Sequence, residues 1–552
     1  MTKNKNTNDS KLLFLPLGGC NEIGMNLNLY SYEDQWLMVD LGITFGNDLG
    51  VEILMPDTSF IEARIKQLVG LVLTHAHEDH VGAVPYLWER LRCPVYATPF
   101  TAYILKEKLK EVGLDKEVPI IEVPLDSGVQ IGAFKVDYIT ITHSIPEPNV
   151  LAIKTPIGTI VHTGDWKVDP TPLLGNATNV SALEKLGDEG VLALVCDSTN
   201  VFVEGRTGSE ADVREKLTDL IQRISTGKVI VACFSSNVAR LETCAVAAAM
   251  SGRKMVLVGR SMHRMDQAAR RSGYLKGIPP FLDEESLARL APEETLIVCT
   301  GSQGESRSAL SRIAQGQHPR IKLQEGDSVV FSSRMIPGNE KPIKHLQEQL
   351  IERGAIVINA SYEDGIHVSG HPARDDLRDM YQWVRPQMLI PVHGEPAHLR
   401  EHADFALKSG IPNSIVPYNG ALIELSSDGP KIIDEIEHTK LALDGDVLVP
   451  YFSSQMRDRH RLMQAGVVFV SILLDHRHML QKIPSVSVMG VIDEGNFDGA
   501  LKKLQKELAK AIEDADLDLL ESDENIQELI RLTVRRYINL TRGKKPLVAS
   551  HI

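Results

Sequence analysis

Cysteine is scarce in this sequence, with six residues in 552. They are scattered, mostly within apolar runs typical of strands, and none forms a CxxC pair: Cys20, Cys93, Cys196, Cys233, Cys244 and Cys299. Disulfide frameworks and cysteine metal sites need closely spaced pairs. We therefore predict buried free thiols in a reducing compartment.

Long apolar runs are missing as well. No stretch approaches the roughly 18 apolar residues that span a bilayer, and the opening MTKNKNTNDS lacks the apolar core of a secretory signal. The sequence shows no repeat and no low-complexity segment. We expect a cytoplasmic protein of several domains with no membrane partner.

Basic residues are outnumbered, because 59 Lys and Arg face 73 Asp and Glu, for a net charge of -14. Taken alone, this balance argues against nucleic acid as a partner, since phosphates are neutralised by clustered Lys and Arg. One basic cluster exists, at Arg253, Lys254, Arg260, Arg264, Arg270, Arg271 and Lys276. A solvated helix face would explain it equally well.

The chain changes character along its length. Short β-rich runs from residue 12 to about 200 indicate a layered sheet domain, and alternating strands and helices then indicate a parallel α/β unit. Strands of the first type resume at AIVINA and QMLIPVHG, as if the first domain were completed after an insertion. The predicted segments are 1–211 and 353–427 for the first domain, 212–352 for the insert, 428–460 for a linker and 461–552 for a terminal domain.

The strongest local signal is THAHEDH, which directly follows the apolar run LVGLVLT. At a strand end, His75 and His77 fall two residues apart and can face the same way, while Asp79 and His80 can turn toward a neighbouring position. One short loop could thus serve two metal ions. Imidazoles and carboxylates without cysteine suit Zn²⁺, and Mn²⁺ also fits.

Three further polar residues follow apolar runs and are expected at strand ends. They are His143 in YITITHSIPE, Asp165 in TIVHTGDWK and His393 in MLIPVHGE. Each alone could be a turn or core residue. Together with the HxHxDH cluster they supply what a dinuclear site needs, including a carboxylate that can bridge.

This pattern resembles the metallo-β-lactamase superfamily. The resemblance implies an αββα sandwich in which one ion is held by His75, His77, His143 and Asp165. It implies a second ion held by Asp79, His80, Asp165 and His393. Asp40, at the end of QWLMVD, matches an acid that orients a ligand, although it could simply begin the turn DLG.

Later motifs narrow the resemblance. Asp197 in VCDSTN, His371 in HVSGH and His393 in PVHGE resemble the motifs of the β-CASP subgroup, which acts on nucleic acids. FSSN (234–237), TGSQGE (300–305), FSSRMIPGNE (331–340) and HVSGHP (367–372) resemble the ribonuclease J family. Arg307 and Ser308 depart from the more apolar residues expected there. The implied architecture is α/β: a metallo-β-lactamase αββα sandwich, an inserted α/β β-CASP domain and a small C-terminal α+β domain.

The resemblance implies a metal-dependent ribonuclease of RNA maturation and decay, including rRNA processing and mRNA decay, with 5′-to-3′ exonuclease action and internal cleavage when the RNA end is not anchored. Two divalent ions sharing Asp165 would activate a water molecule, and Asp79 and Asp165 are counted as catalytic. His371, held by Asp197, is expected to be the general acid. It could instead be only a phosphate ligand.

Two turns offer donors around one anion, as a phosphate pocket requires. The predicted pocket residues are Ser235, Ser236, Asn237, His367, Val368, Ser369, Gly370 and His371. By resemblance they would hold the 5′ monophosphate of single-stranded RNA, with the basic cluster as a track for the backbone. FSSN also fits a capped strand-to-helix turn. The family further implies a homodimer or homotetramer.

Two other functions stay open. The chain could be a β-CASP nuclease acting on DNA, or a catalytically silent subunit that only binds RNA. A small-molecule metallohydrolase is disfavoured, because it would not need the insert or the pair of Asp197 and His371.

Overall fold

The computed structural model describes residues 11–46, 49–336, 338–492 and 497–552. The chain divides into two compact units, one of residues up to Thr44 with Met55–His438, the other of Phe45–Leu54 with Thr439–Ile552. Within the described ranges, no helix combines the length and the apolar character needed to cross a bilayer. All six cysteines are buried and free, as predicted.

Strands dominate the chain up to residue 200. Strands β1 to β13 are Leu12–Gly18, Leu27–Tyr32, Gln35–Val39, Thr44–Phe45, Ile53–Pro56, Leu68–Val72, Val95–Ala97, Ile120–Glu122, Gly128–Ile131, Phe134–Thr140, Asn149–Lys154, Thr159–His162 and Ala193–Asp197. Helices α1 to α5 are Ser59–Glu62, Glu78–Val81, Val84–Leu91, Pro99–Glu111 and Val180–Glu189. Strands β6, β11, β12 and β13 are buried over all or nearly all of their length, which fits their largely apolar sequences.

The middle of the chain forms a separate sheet. Strands β14 to β18 are Val229–Ala232, Lys254–Val258, Thr295–Cys299, Ser328–Phe331 and Ile356–Ile358. Helices α6 to α10 are Glu210–Arg223, Val238–Met250, Arg260–Arg271, Ala309–Ala314 and Glu340–Glu352. All strand pairs are parallel, in the order β15-β16-β14-β17-β18. The prediction of a parallel α/β insert is confirmed.

After the insert, the chain returns to the first domain. Strands β19 to β22 are Met388–Val392, Asn413–Ser414, Ala421–Ser426 and Gly429–Glu435, and helices α11 and α12 are Arg374–Val384 and Pro396–Lys408. They complete an eight-stranded sheet, β22-β21-β1-β2-β3-β6-β7-β8, and a seven-stranded sheet, β20-β19-β13-β12-β11-β10-β9.

The two large sheets bury one apolar layer between them. Phe14 and Tyr30 of the first sheet pack in one cluster with Tyr138 and Leu151 of the second. Helices α5, α11 and α12 cover the other face of the seven-stranded sheet, and α4 packs on β7 and β8. Burying each large apolar side chain stabilises the fold by about 1.5–3 kcal/mol. This helix-sheet-sheet-helix order is the predicted αββα sandwich.

The second compact unit contains strands β23 to β27, at Lys440–Asp444, Val447–Pro450, Val467–Ser471, Ser485–Met489 and Leu547–His551. Its helices α13 to α16 are Ser454–Ala465, Phe497–Glu513, Leu517–Leu520 and Asp523–Arg542. The sheet orders are β26-β25-β27 and β24-β23-β5-β4. Residues 428–460, predicted as a linker, thus contain three strands and part of a helix. The other segment boundaries stay predictions.

Helix α14 of this unit has an apolar stripe that the core of the unit covers. Leu504, Leu508 and Ile512 are buried against Ile530 and Val534 of α16 within the unit's own core. Because the stripe is covered from within, these side chains are not free to contact a partner.

Candidate metal centre and substrate pocket

The predicted ligands lie where strands end. The THAHEDH loop follows β6 and runs into α2, His143 follows β10, Asp165 follows β12 and His393 follows β19. Asp40 and His393 have left-handed backbones, with φ of 61° and 54°. Residues other than glycine rarely adopt this conformation, and here it bends the chain just after β3 and β19, turning both side chains into the site.

One cluster is built from three imidazoles and a carboxylate. Nδ1 of His77 lies 3.0 Å from Nε2 of His75 and 3.1 Å from Nε2 of His143. Oδ2 of Asp165 lies 4.0 Å from Nε2 of His75 and 3.9 Å from Nε2 of His143. One potential ligand atom from each of the four residues lies within 4.8 Å of the others.

A second cluster shares Asp165. Oδ2 of Asp165 lies 3.2 Å from Nε2 of His80, and Oδ2 of Asp79 lies 3.6 Å from the same nitrogen. Nε2 of His393 is 3.2 Å from Oδ2 of Asp79. The Asp165 carboxylate therefore lies between the two groups, as a bridging ligand would.

The donor chemistry of these residues fits divalent cations. Imidazole nitrogens of His75, His77 and His143 converge beside Asp165, whose Oδ1 is buried without a hydrogen bond. Burial lowers the pKa of His75 and His143 well below the usual range and that of His77 to about 4. Neutral imidazoles beside a carboxylate are the ligands that such ions require.

Asp40 holds a ligand from behind. Its Oδ2 lies 2.7 Å from Nδ1 of His80 and also accepts a 2.8 Å hydrogen bond from Oγ1 of Thr74. Its Oδ1 accepts a 2.8 Å bond from the Thr74 amide. With Nδ1 engaged, His80 presents Nε2 to the cluster. This geometry supports the orienting role over the simple turn.

The side chains of His371 and Asp197 form the predicted pair. Nδ1 of His371 lies 2.8 Å from Oδ2 of Asp197, whose Oδ1 accepts bonds of 2.9 Å and 2.7 Å from the amide and hydroxyl of Thr199. Burial would lower the pKa of His371, but the Asp197 carboxylate raises it above the ordinary histidine value. The His371 side chain keeps 22% exposure, so it can meet a substrate.

The two pocket turns contact metal-cluster residues directly. Oγ of Ser236 lies 3.1 Å from Nε2 of His77. Nδ1 of His143 lies 2.6 Å from the carbonyl oxygen of Gly370, so this ring donates from Nδ1 and keeps Nε2 for a cation. Neither contact was predicted from the sequence. The partners stand 159 and 227 residues apart, and no pattern in the sequence links them.

Asn200 and Arg334 are site residues that the sequence analysis missed. Nδ2 of Asn200 donates to Oγ of Ser369 at 2.8 Å and to the carbonyl of His371 at 3.0 Å. Arg334 donates to Oδ1 of Asn200 at 2.7 Å. Both belong to quoted motifs, VCDSTN and FSSRMIPGNE, so the signal was their presence in those motifs.

Asn237 serves the turn rather than the pocket. Its Oδ1 accepts from the Arg240 amide at 2.9 Å and caps α7, and its Nδ2 donates to Oε1 of Glu210 at 3.0 Å. The capped-turn alternative therefore describes Asn237. The serines preceding it and the residues of the HVSGH turn, Ser235, Ser236, His367, Val368, Ser369, Gly370 and His371, are all partly buried.

The basic cluster is not one continuous track. Arg253 is buried and donates to the carbonyls of Ile224, Gly227 and Thr295 at 2.7, 2.9 and 3.0 Å. Arg270 donates to Asp266 and to the carbonyls of Ile278 and Pro279. The predicted RNA contact is wrong for Arg253, because its guanidinium is buried and hydrogen-bonded to backbone carbonyls. Exposed basic residues remain at Lys254, Arg260, Arg271 and Lys276.

Family models match four stretches of the chain. They are the metallo-beta-lactamase superfamily at 26–182, the ribonuclease J beta-CASP domain at 226–350, the Zn-dependent metallo-hydrolase RNA specificity domain at 355–417 and the ribonuclease J C-terminal domain at 454–552. These matches confirm the predicted architecture of sandwich, inserted β-CASP domain and C-terminal domain.

Proteins named ribonuclease J resemble the chain over nearly its whole length. Ribonuclease J of Sinorhizobium meliloti is 42% identical, over 99% of this chain and 97% of that protein. Ribonuclease J 1 of Streptococcus pyogenes is 35% identical, over 96% of each chain. Ribonuclease J of Synechocystis is 36% identical, over 88% of this chain and 77% of that protein.

A solved structure shares the fold. The crystal structure of a protein of unknown function from Enterococcus faecalis aligns with a TM-score of 0.53 at 17% identity, over 75% of this chain and all of that one. This likeness concerns the fold alone. The length and identity of the curated relatives, together with the His and Asp cluster, carry the assignment. The chain belongs to the ribonuclease J family and is a metal-dependent ribonuclease that binds divalent metal and acts on RNA.

Proposed function

We propose that the chain is a 5′-to-3′ exoribonuclease, able also to cleave internally, whose centre takes two divalent ions. The observation that carries this proposal is the contact between pocket and metal cluster, Ser236 to His77 at 3.1 Å and Gly370 to His143 at 2.6 Å. A 5′ phosphate held by these turns would leave the first phosphodiester beside the metal ligands. An RNA that enters without its end anchored would be cut internally.

The two clusters divide the ligands between the ions. His75, His77 and His143 would hold one, and Asp79, His80 and His393 would hold the other, with Asp165 shared. Three imidazoles with a carboxylate favour Zn²⁺, and Mn²⁺ also accepts this mixed nitrogen and oxygen set. Asp40 keeps His80 in the tautomer that binds.

The chain's own residues then orient the reaction. Divalent ions held in this centre would lower the pKa of a water molecule and would stabilise charge on the attacked phosphate. Asp79 and Asp165 would act through the ions that they hold. Because water is the nucleophile, no side chain needs to act as one. Burial of the ligands excludes bulk water and strengthens the electrostatic interactions among them.

His371 would donate the proton that the leaving 3′ oxygen requires. Asp197 fixes the imidazole through Nδ1 at 2.8 Å, which directs Nε2 outward. Nδ1 of His371 is 4.0 Å from Oδ2 of Asp165, so the ring borders the metal cluster. A carboxylate-held imidazole of this kind is suited to general acid catalysis.

The pocket would recognise the 5′ monophosphate of single-stranded RNA. Ser235 and Ser236 offer hydroxyls from one turn, and Ser369, Gly370 and His371 offer hydroxyl, amide and imidazole from the other. Asn200 holds the second turn through Ser369 and the His371 carbonyl. Such convergent donors bind an anion without base contacts, so sequence preference should be weak.

We further propose that this enzyme acts in RNA maturation and decay, including rRNA processing and mRNA decay, in the cytoplasm and as a homodimer or homotetramer. Phe469 and Met489 support self-association, because they lie on one face of paired strands and are 42% and 67% exposed. Light scattering of a Phe469→Ser/Met489→Ser variant against the unchanged protein tests this. A variant that keeps the parent mass would remove the support.

Product analysis over time tests the exonuclease proposal. The substrate is a single-stranded RNA with a labelled 5′ monophosphate, incubated with metal-depleted protein to which Zn²⁺ or Mn²⁺ is returned. Labelled mononucleotide should appear from the first time point. His77→Ala should abolish it, whereas His345→Ala, which changes an exposed histidine of α10, should not.

The same assay separates the alternatives. Equal cleavage of the matching DNA would indicate a β-CASP nuclease of broader substrate range. Longer labelled fragments without mononucleotide would indicate an endonuclease. RNA binding without any cleavage would indicate a silent subunit and would contradict the proposal.

A further inference from the structure

Four charged side chains are buried in a row behind the pocket. Lys167, Asp169, Glu210 and Arg240 are 1%, 2%, 3% and 0% exposed. They form two ion pairs placed end to end, Lys167 with Asp169 and Arg240 with Glu210. Burying a charge is costly unless it is paired and hydrogen-bonded, so this arrangement calls for a physical reason beyond filling space.

The first half of the row is tied to the metal ligands. Nζ of Lys167 lies 3.1 Å from Oδ2 of Asp169 and donates to the carbonyl of Gly208 at 3.1 Å. Oγ1 of Thr142 donates to the carbonyl of Lys167 at 2.8 Å and accepts from the Asp169 amide at 3.0 Å. Thr142 directly precedes His143, and Lys167 follows Asp165 by two residues.

Asp169 connects the first half of the row to the start of helix α6 in the insert. Its Oδ1 accepts from Oγ of Ser209 at 2.7 Å, and its Oδ2 accepts from the Glu210 amide at 3.1 Å. Ser209 caps α6, so the carboxylate fixes where this helix begins. Glu210, the first residue of α6, is thereby placed relative to the metal ligands.

The second half of the row reaches both pocket turns. Glu210 accepts two bonds from Nη2 of Arg240, at 3.0 and 3.1 Å, and one from Asn237, next to Ser236. Nη1 of Arg240 donates to the carbonyl of Ser332 at 2.8 Å and to its hydroxyl. That hydroxyl donates at 2.7 Å to the carbonyl of Ile366, next to His367.

We propose that this row sets the spacing between the metal cluster and the phosphate pocket, and that Glu210 and Arg240 are positioning residues for 5′-end recognition. The inference rests on the proposed exonuclease function. Buried ion pairs joined by directional hydrogen bonds satisfy all their partners in one register only, whereas apolar packing tolerates small slides. A pocket displaced by about 1 Å would lose roughly 100-fold in placing the reacting phosphodiester.

The test compares Glu210→Gln with Glu215→Gln, an exposed position on the same helix. The glutamine keeps the shape and one acceptor for Asn237 but loses the charge that Arg240 requires. On 5′-monophosphorylated RNA the KM should rise about 10- to 100-fold. The kcat on bis(p-nitrophenyl) phosphate, which has no 5′ end, and the metal content should stay at the level of the unchanged protein.

The length of the first product distinguishes the two roles, because a merely structural role would leave this length unchanged. With a misplaced pocket, the first labelled fragments should become a mixture of mononucleotide and dinucleotide. Glu215→Gln should release mononucleotide only. Ser332→Ala provides a milder variant, because it leaves the pair of Glu210 and Arg240 intact and removes the bond to Ile366. It should show the same product mixture to a smaller extent.

The outcomes are separable. If Glu210→Gln fails to fold, Ser332→Ala decides whether the row positions the pocket or only stabilises the fold. Folded variants with unchanged KM and pure mononucleotide would overturn the positioning role. If the unchanged protein itself releases no mononucleotide, the result contradicts the exonuclease proposal and not the positioning role of this row.

Discussion

Oγ of Ser236 lies 3.1 Å from Nε2 of His77, although the two residues are 159 positions apart along the chain. The cation-facing nitrogen of His77 is Nδ1, so the serine engages the nitrogen left over. A proposed metal ligand is therefore held by a residue of the inserted domain. Because a residue of the proposed pocket contacts a proposed metal ligand, we expect substitutions in either group to change both metal binding and substrate binding.

Gly370→Ala should weaken metal binding although Gly370 is no ligand. A Cβ at this position would lie 2.6 Å from Cε1 of His143, so the turn would have to move and the 2.6 Å bond to Nδ1 would be lost. Losing such a partner costs about 10- to 100-fold in metal affinity. Metal titration of the purified variant measures this. Gly499→Ala, where the added carbon meets open space, is the control and should change nothing.

Asp40→Asn should make the protein less responsive to chelation. Ions that bind only the folded state raise the Tm of the unchanged protein, and a chelator should lower it. Without its carboxylate partner on Nδ1, His80 is held less firmly, and metal affinity should fall about 10- to 100-fold. The Tm difference with and without chelator should therefore shrink. An equal difference in Asp40→Asn and the exposed control Asp34→Asn would contradict the orienting role.

Asp197→Asn should slow RNA cleavage by about 100- to 10,000-fold if His371 is the general acid. The defect should be far smaller on RNA with a 3′-bridging phosphorothiolate, because a sulfur leaving group needs no proton. Single-turnover rates on the two substrates measure the difference. A defect of the same size on both would leave His371 as a phosphate ligand only. Asp404→Asn, on an exposed part of α12, serves as the matched control.

His402 should make stability depend on pH. Its Nδ1 lies 2.8 Å from Oγ of Ser198 and its Nε2 lies 2.7 Å from the Tyr381 hydroxyl, and burial lowers the pKa of this imidazole to about 4. Between pH 6.5 and 4 the unfolded chain binds the proton more readily than the folded one. Stability is thus complete above pH 6.5 and falls by roughly 3 kcal/mol as the pH drops through 4.

Urea unfolding at pH 7 and pH 5 measures this contribution of His402 to the free energy of unfolding. His402→Gln should lose less stability between the two pH values than the unchanged protein, although it starts from a lower value. His345→Gln, on the surface of α10, should follow the unchanged protein. If all three lose the same free energy of unfolding, His402 does not titrate in this range.

Much of the site could be predicted because its residues follow a local rule. His143, Asp165 and His393 each come after an apolar strand, and strand ends on one edge of a sandwich converge. The contacts that complete the site obey no local rule. Ser236 contacts His77 only because the insert folds back over the first domain. The spacing of nearby residues in the sequence does not predict such a contact.

Burial of charge was equally hidden. Lys167, Arg240 and Arg253 look like surface residues in a sequence, because such side chains are almost never fully buried without partners. Their partners are carbonyls and carboxylates that become neighbours only in the folded chain. The stripe of Leu504 and Leu508 shows the same limit, since helical spacing reveals an apolar face but not what covers it.

The distance along the chain between the two halves of the centre has a consequence during synthesis. Asp79 and His393 lie 314 residues apart, so a growing polypeptide has the first histidine cluster long before it has the last ligand. Until that strand end has left the ribosome and paired with β13, the nascent chain lacks His393, one of the four proposed ligands of the second ion. We therefore expect a nuclease built in this way to stay inactive beside its own messenger RNA until translation of the catalytic domain is nearly over.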